Sequence, residues 1–392
     1  MHSSPVPDMV DKFQSILTRI TSETFPEKRI TITPYDDPWF TEELRKLRRA
    51  LQHRYTRHGK DDLYQNIKRK FDLKLREEIF KYKEKIESQV REGKRGSSYP
   101  ALRKLGGRPY ESDRASFQLP EHVAQGFSAA QSAEIIAEHF SKISQDFAPL
   151  EMRNLPQRIQ IFLSKSDMNL APILSVEEVR KRIIKAKKPH SQVPGDLPRK
   201  LVQNCAAALA NPVSIIFNRI TQSATFPPQW KTEHQIPIPK IYPPSNENDL
   251  RNIAKTPFLS KLYESYVCGW LLPIIKPYMD PGQCGLRGSS ITHYLIRLLH
   301  FIHSTLDRKK PHSVLTACVD ISKAFNRVDH SLVIEDLHNM HTPSWLLKII
   351  FSYLRNRSMV LTFHNTKSSQ KYLPGGGSPG GVFRGSYLYD KV

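Results

Sequence analysis

The chain has 392 residues, 39% hydrophobic and 25% charged, enough for two or three domains and a sizeable core. Lys and Arg number 59 against 38 Asp and Glu, a net charge of +21 that points to a polyanionic partner. Nucleic acid is favoured as that partner, because the sequence carries neither an amphipathic membrane anchor nor a lipidation signal.

Residues 1–30 carry weak periodicity and read as a connector or a remnant. Thr41 is an N-cap candidate, with Leu44, Leu47, Leu51 and Tyr55 on one helical face. Beyond Gly59 a longer helix is spelled by Leu63, Ile67, Phe71, Leu75, Ile79, Tyr82, Ile86 and Val90, and it ends near Gly93. Residues 41–108 hold 21 Lys and Arg against 10 Asp and Glu, so about half of the net charge sits on this segment, which contains the helical hairpin. Its basic outer faces either form a nucleic-acid platform or are simply solvated.

Leu105–Pro120 reads as a loop, Ser128–Ser144 as a helix, and residues 149–171 as irregular. Ser175-Val176-Glu177-Glu178 is a capping box opening a helix that buries Val179, Ile183 and Ile184. A helix over Leu201–Thr221 ends in the turn Phe226–Lys231. Ile236-Pro237-Ile238-Pro239-Lys240 fits an edge strand, where a missing backbone donor is tolerated, and Leu250–Ala254 fits a second short strand. Helices follow over Ser260–Ile275 and Ile291–Leu306, with the loop Gln283–Arg287 between them. Pro343 opens a helix with the apolar stripe Trp345, Leu346, Ile349, Ile350, Tyr353 and Leu354. Met359–Phe363 and Gln370–Leu373 spell a hairpin that runs into the glycine-rich stretch Gly375–Gly381.

The four cysteines, at 205, 268, 284 and 318, form no CxxC pair and fit reduced, mostly buried residues of an intracellular protein. The N-terminus shows no charged-then-apolar leader. Trp270–Met279 and Trp345–Leu354, the most apolar segments, are each broken by a lysine and too short to span a bilayer, so the expectation is a soluble protein without a membrane partner.

One stretch concentrates the chemistry. Val314, Leu315, Ala317, Cys318 and Val319 spell a short buried strand ending at Asp320, before the chain turns into a helix past Phe325, Arg327, Asp329 and His330. A carboxylate at a strand end either holds a divalent cation or simply ends the strand and caps the segment after it.

The run Val319-Asp320-Ile321-Ser322-Lys323-Ala324-Phe325-Asn326-Arg327-Val328-Asp329-His330 resembles the first catalytic motif of reverse transcriptases from non-LTR (LINE-like, Jockey-type) retrotransposons. The family usually has Asp where Asn326 stands. Further segments resemble the family in the expected order: Pro38-Trp39-Phe40-Thr41-Glu42-Glu43-Leu44 its linker after the endonuclease, and Val193–Pro198 its entry to the fingers. The resemblance covers nearly the whole chain.

It implies two-metal nucleotidyl transfer with Mg²⁺ ions about 4 Å apart. Asp320 and the Ile321 carbonyl would be metal ligands, with Asp320 catalytic. Phe325 would be the steric gate that selects dNTP, and Lys240 and Arg251 would hold the triphosphate. Gly377, Pro379 and Gly380 would pack on the templating base and the nucleotide, although the family has Gln where Gly380 stands. The family's third motif, an aromatic-Ala-Asp-Asp hairpin, has no counterpart here. Tyr387-Leu388-Tyr389-Asp390 lies too near the glycine loop and has a single Asp, and Asp329, nine residues past Asp320, fits a helix cap or a pair with Arg327.

The implied architecture is α+β: a basic helical region over residues 1–110, a connector over 111–171, and reverse transcriptase fingers with a truncated palm over 172–392. The implied function is a fragment of an RNA-directed DNA polymerase working on an RNA template, a DNA primer or target and dNTP, and inactive by itself. The alternative is a non-catalytic RNA- or DNA-binding remnant of the same element.

Overall fold

A computed structural model describes residues 5–25, 39–91, 117–165, 167–186, 193, 196, 199–280, 290–308, 313–319 and 323–376. The chain is mixed α+β and forms two compact units, one from residues 1–25 and 117–392, the other from residues 26–116.

Helix α1 (Val6–Thr24) belongs to the first unit and is no loose connector, for Val6, Met9, Val10 and Phe13 are buried in that unit's main core. The apolar spacing of three and four residues runs from Val6 through Phe13 and Leu17 to Ile20, with polar residues interleaved.

The second unit is a helical hairpin. In α2 (Glu42–His58) the Thr41 hydroxyl accepts from the Leu44 N–H at 3.5 Å, and Glu42 and Glu43 sit at the positive end of the helix dipole. Gly59, at φ +68°, ends α2, a left-handed turn that favours a residue without a Cβ. Asp61 then accepts from the Tyr64 N–H at 2.9 Å and receives Arg54, which starts α3 (Asp62–Arg91) and ties it to α2.

In the first unit a short helix, α4 (Pro120–Ala124), precedes α5 (Ala129–Lys142), which opens with a reciprocal capping box between Ser128 and Gln131. Residues 149–171 are more regular than their sequence suggests. They hold α6 (Gln157–Ser164), which buries Ile159 and Leu163, and 3₁₀ turns at Met152–Asn154 and Met168–Leu170. In α7 (Val176–Lys185) the Ser175 hydroxyl caps Glu178 N–H at 3.2 Å; Val179 and Ile183 are buried while Ile184 is exposed. The expected single helix after it is broken at Cys205 into α8 (Arg199–Asn204) and α9 (Ala206–Ser223).

Strand β1 (Thr232–Pro239) starts four residues before the expected edge strand, and its proline-containing half is an edge. It pairs antiparallel with β2 (Leu250–Lys255) and parallel with a third strand on its other side. The parallel pairing covers Thr232–Gln235 alone, so Pro237 and Pro239 have a neighbour on one side only and break no ladder bond there.

Helix α10 (Phe258–Ile275) follows, its first N–H donated to Asp196 Oδ2 at 2.8 Å. Next come α11 (Ile291–Leu306), α12 (His330–Asn339) and α13 (Ser344–Leu354). The chain returns through β3 (Arg357–Phe363), β4 (Thr366–Lys367) and β5 (Lys371–Leu373), giving the order β2-β1-β3-β4 with β5 also on β3.

The main core joins α9, α10 and α13 through edge-on and tilted rings: Phe217, Phe226, Trp230, Tyr263 and Tyr353 stand 4.9–6.2 Å apart in successive pairs, and α1 adds Val6, Met9, Val10 and Phe13. A second core packs Ala133, Ile136, Ala137 and Phe140 of α5 on Met359, Leu361 and Phe363 of β3, where the two alanines let helix and sheet approach closely. The same sheet face carries a buried polar chain across three strands. Arg357 donates to Glu233 at 3.1 Å, Gln235 to Glu233 at 3.2 Å, and Asn252 to Gln235 at 3.2 Å. A one-residue slip of any strand would strand a buried charge or amide, so the chain specifies register.

Among the described residues no helix is long and apolar enough to cross a membrane. Of the cysteines expected to be mostly buried, Cys268 is buried, whereas Cys205 and Cys318 are exposed.

Candidate nucleotide-binding site

The β1–β2 turn is braced from several sides. Lys240 N–H bonds to the Asp249 carbonyl at 2.7 Å, the Asn246 side chain accepts from Asn248 N–H at 2.9 Å, and Glu247 meets the buried His122 of α4 at 3.0 Å. The turn therefore presents Asn248 at a fixed point, and two ammonium groups converge on it. Lys240 Nζ donates to the Asn248 carbonyl at 2.7 Å, and Lys323 Nζ to its Oδ1 at 3.2 Å.

Lys323 stands at the head of a 3₁₀ turn, Ala324–Arg327, in the left-handed region at φ +55°. Burial pushes its pKa down, and the charges of Lys240 and Arg327 push the same way. His139 of α5 is within electrostatic reach of this cluster. Burial lowers its pKa first, followed by Lys323, with Glu247 opposing and Lys240 and Lys142 adding to the shift. The result is a concentration of cations around a neutral imidazole, suited to a polyphosphate anion.

The start of the glycine stretch docks on the same turn. Gly376 N–H donates to the Val328 carbonyl at 2.7 Å, and His330 Nε2 bonds the Gly376 carbonyl at 2.9 Å. A Cβ on Gly376, at φ +62°, would stand 2.2 Å from the Asn326 carbonyl oxygen, and one on Gly375 would stand 2.6 Å from the Phe147 ring. Glycine is required there by close approach as well as by the dihedral.

Of the residues singled out from sequence, Lys240 and Arg251 are both exposed on the hairpin. Arg251 lies opposite Ile238, placing it diagonal to Lys240, about 7–8 Å away between Cα atoms. Phe325 lies in the 3₁₀ turn, and its ring falls outside the described residues. Asp320, Ile321, Gly377, Pro379 and Gly380 also lie outside them.

The strand expected to deliver Asp320 is not formed. Residues 313–319 pair with no strand among the described residues, and Leu315 and Val319 are 96% and 92% exposed. A short β-branched run signals burial only where a neighbouring strand can take its backbone groups, and none of β1–β5 runs beside it. Asp329 does cap α12, accepting from Ser331 N–H at 2.8 Å.

Among the described residues no cluster of three or more His, Cys, Asp or Glu could hold a metal.

Lys323, Asn248, His139 and His330 were not singled out from sequence. Lys323 and His330 stand inside the motif itself, but nothing in the pattern announced Asn248, because a turn residue that receives two lysines has no sequence signature. No family model and no curated protein matches the chain.

Proposed function

We propose that the chain carries the fingers and part of the palm of an RNA-directed DNA polymerase of the non-LTR retrotransposon type, binding a nucleoside triphosphate between the β1–β2 hairpin and the 323–328 turn. The observation that carries this is the meeting of Lys240 and Lys323 at Asn248 beside the docked Gly376. The β1–β2 hairpin, the 323–328 turn and Gly376, far apart in sequence, meet there, and each lies in or next to a stretch that resembles a nucleotide-handling part of that family. Lysines offer point-charge contacts to phosphate and Arg251 a bidentate fork. In that family Asp320 and the Ile321 carbonyl hold Mg²⁺ and Phe325 excludes the ribose 2′-hydroxyl; here those roles are part of the proposal.

Equilibrium binding of a fluorescent dNTP to the purified chain tests it. Lys240→Ala, Arg251→Ala and Lys323→Ala are each expected to weaken binding roughly tenfold, about 1.4 kcal/mol. Triphosphate binding that none of the three alters would overturn the assignment. In primer extension on an RNA template with Mg²⁺ the chain by itself is expected to be silent, and synthesis abolished by Asp320→Ala would refute that silence.

A second function, non-catalytic nucleic-acid binding, is favoured by one observation. The segment leading to Asp320 is exposed and unpaired among the described residues, whereas a catalytic carboxylate needs a rigid support.

A further inference from the structure

Charge is distributed unevenly along the α2–α3 hairpin. The half nearest the connecting loop, residues 48–72, holds eight Lys and Arg against three Asp. The opposite half, residues 41–47 and 73–91, holds eight against six Asp and Glu. Ion pairing sharpens the contrast. Lys74 meets Glu43, Glu77 and Glu78, Lys81 meets Glu77 and Glu78, and Arg91 meets Glu87, all in the open half. Near the loop, Asp61 is consumed by Arg54 and by the first turn of α3. Arg57, Lys60, Lys68, Arg69 and Lys70 are exposed and pair with no carboxylate among the described residues.

An aromatic pair sits among these cations. Tyr55 and Tyr64 meet across the two helices with centroids 5.9 Å apart and planes tilted by 47°, and Tyr55 is 54% exposed. Cations alone would suit any polyanion, including duplex. A fixed, accessible ring beside them adds a platform for a base that is not already paired, and base–aromatic stacking contributes about 1–3 kcal/mol per base. A membrane surface would need a broad apolar face, and an acidic protein would gain nothing from the ring.

We propose that the loop end of the α2–α3 hairpin is a docking surface for a single strand of RNA. The cations hold phosphates, and Tyr55, backed by Tyr64, stacks on a base. The choice of RNA over DNA rests on the polymerase function proposed above; the choice of an unpaired strand rests on the hairpin itself.

The test is fluorescence anisotropy of the full chain with a short labelled oligouridylate, without dNTP or Mg²⁺, so that silence in primer extension does not bear on it. Arg57→Gln/Lys60→Gln/Lys68→Gln/Arg69→Gln is expected to weaken binding at least roughly tenfold and to reduce the log–log salt slope by about 3, at about 0.7 per single-strand phosphate. The control Lys46→Gln/Arg76→Gln/Lys83→Gln/Lys85→Gln removes the same charge from the open half and should have a several-fold smaller effect. Tyr55→Ala should lose at least about fivefold, and Tyr55→Phe should restore it. Equal losses from the two charge variants, tighter binding of an RNA duplex, or equal competition by polyglutamate would each overturn the surface. Equal affinity for oligothymidylate would overturn the assignment to RNA.

Discussion

Helices α11 and α13 are both rich in large apolar residues, yet they fare in opposite ways within one unit. Nine of the eleven residues of α13 are buried, Leu346 and Ile350 completely. Helix α11 buries none, and Ile291, Ile296 and Phe301 are 75%, 59% and 60% exposed. The difference lies in neighbours: α13 meets α10, α12 and the ring cluster around Phe226, whereas α11 and the extended residues 313–319 after it have no sheet beside them among the described residues. Apolar sequence makes burial favourable, and packing partners decide whether it happens.

The largest expected effect lies on the packed side. Arg357→Ala leaves Glu233 charged and without its guanidinium partner in the core and should destabilise by about 3–5 kcal/mol in urea unfolding. Arg357→Met combined with Glu233→Gln should recover much of that loss, and an unchanged midpoint in the single variant would show that the pair is not buried in solution.

Leu346→Ala should cost about 2–5 kcal/mol and Leu299→Ala less than about 0.5. Equal costs would erase the contrast between the two helices, because α11 would then be covered in solution.

Lys231 sharpens the packed side from another direction. Burial, with Arg357 and Arg355 nearby, brings its pKa down to about 8. The native state disfavours the ammonium, so the penalty is fully present below about pH 8 and fades as pH rises toward the ordinary lysine value. Lys231→Met should therefore stabilise at neutral pH by roughly 2 kcal/mol and flatten the alkaline rise in stability. A variant with the same rise would assign it to another group.

Gly376→Ala forces a left-handed alanine against the Asn326 carbonyl. At least about 1–2 kcal/mol should be lost locally, read as faster hydrogen exchange at the Gly376 amide.

The smallest effect belongs to Glu134, whose pKa is lowered to about 2 by Lys371 and by two hydrogen bonds from Ser369. Its contribution is complete above the ordinary carboxylate pKa and lost as pH falls through about 2. The group is 39% exposed, and screening holds the effect below about 1 kcal/mol. Glu134→Gln should flatten that acid limb; an unchanged limb would mean the contact does not persist in solution.

Much of the secondary structure was written locally. Thr41, Ser128 and Ser175 cap helices as their side chains dictate, the stripe of α13 spells its buried face, and the charge surplus of the hairpin needs no fold to be counted. These features depend on neighbours three or four residues away, which a sequence displays directly. Tertiary structure alone decided that β1 is interior for its first half, that α1 joins the main core, that 313–319 stays outside the sheet, and that Lys323 meets Lys240 at Asn248. Each of these depends on which distant segment arrives alongside, and a linear pattern fixes the appetite of a segment for a partner without fixing the partner.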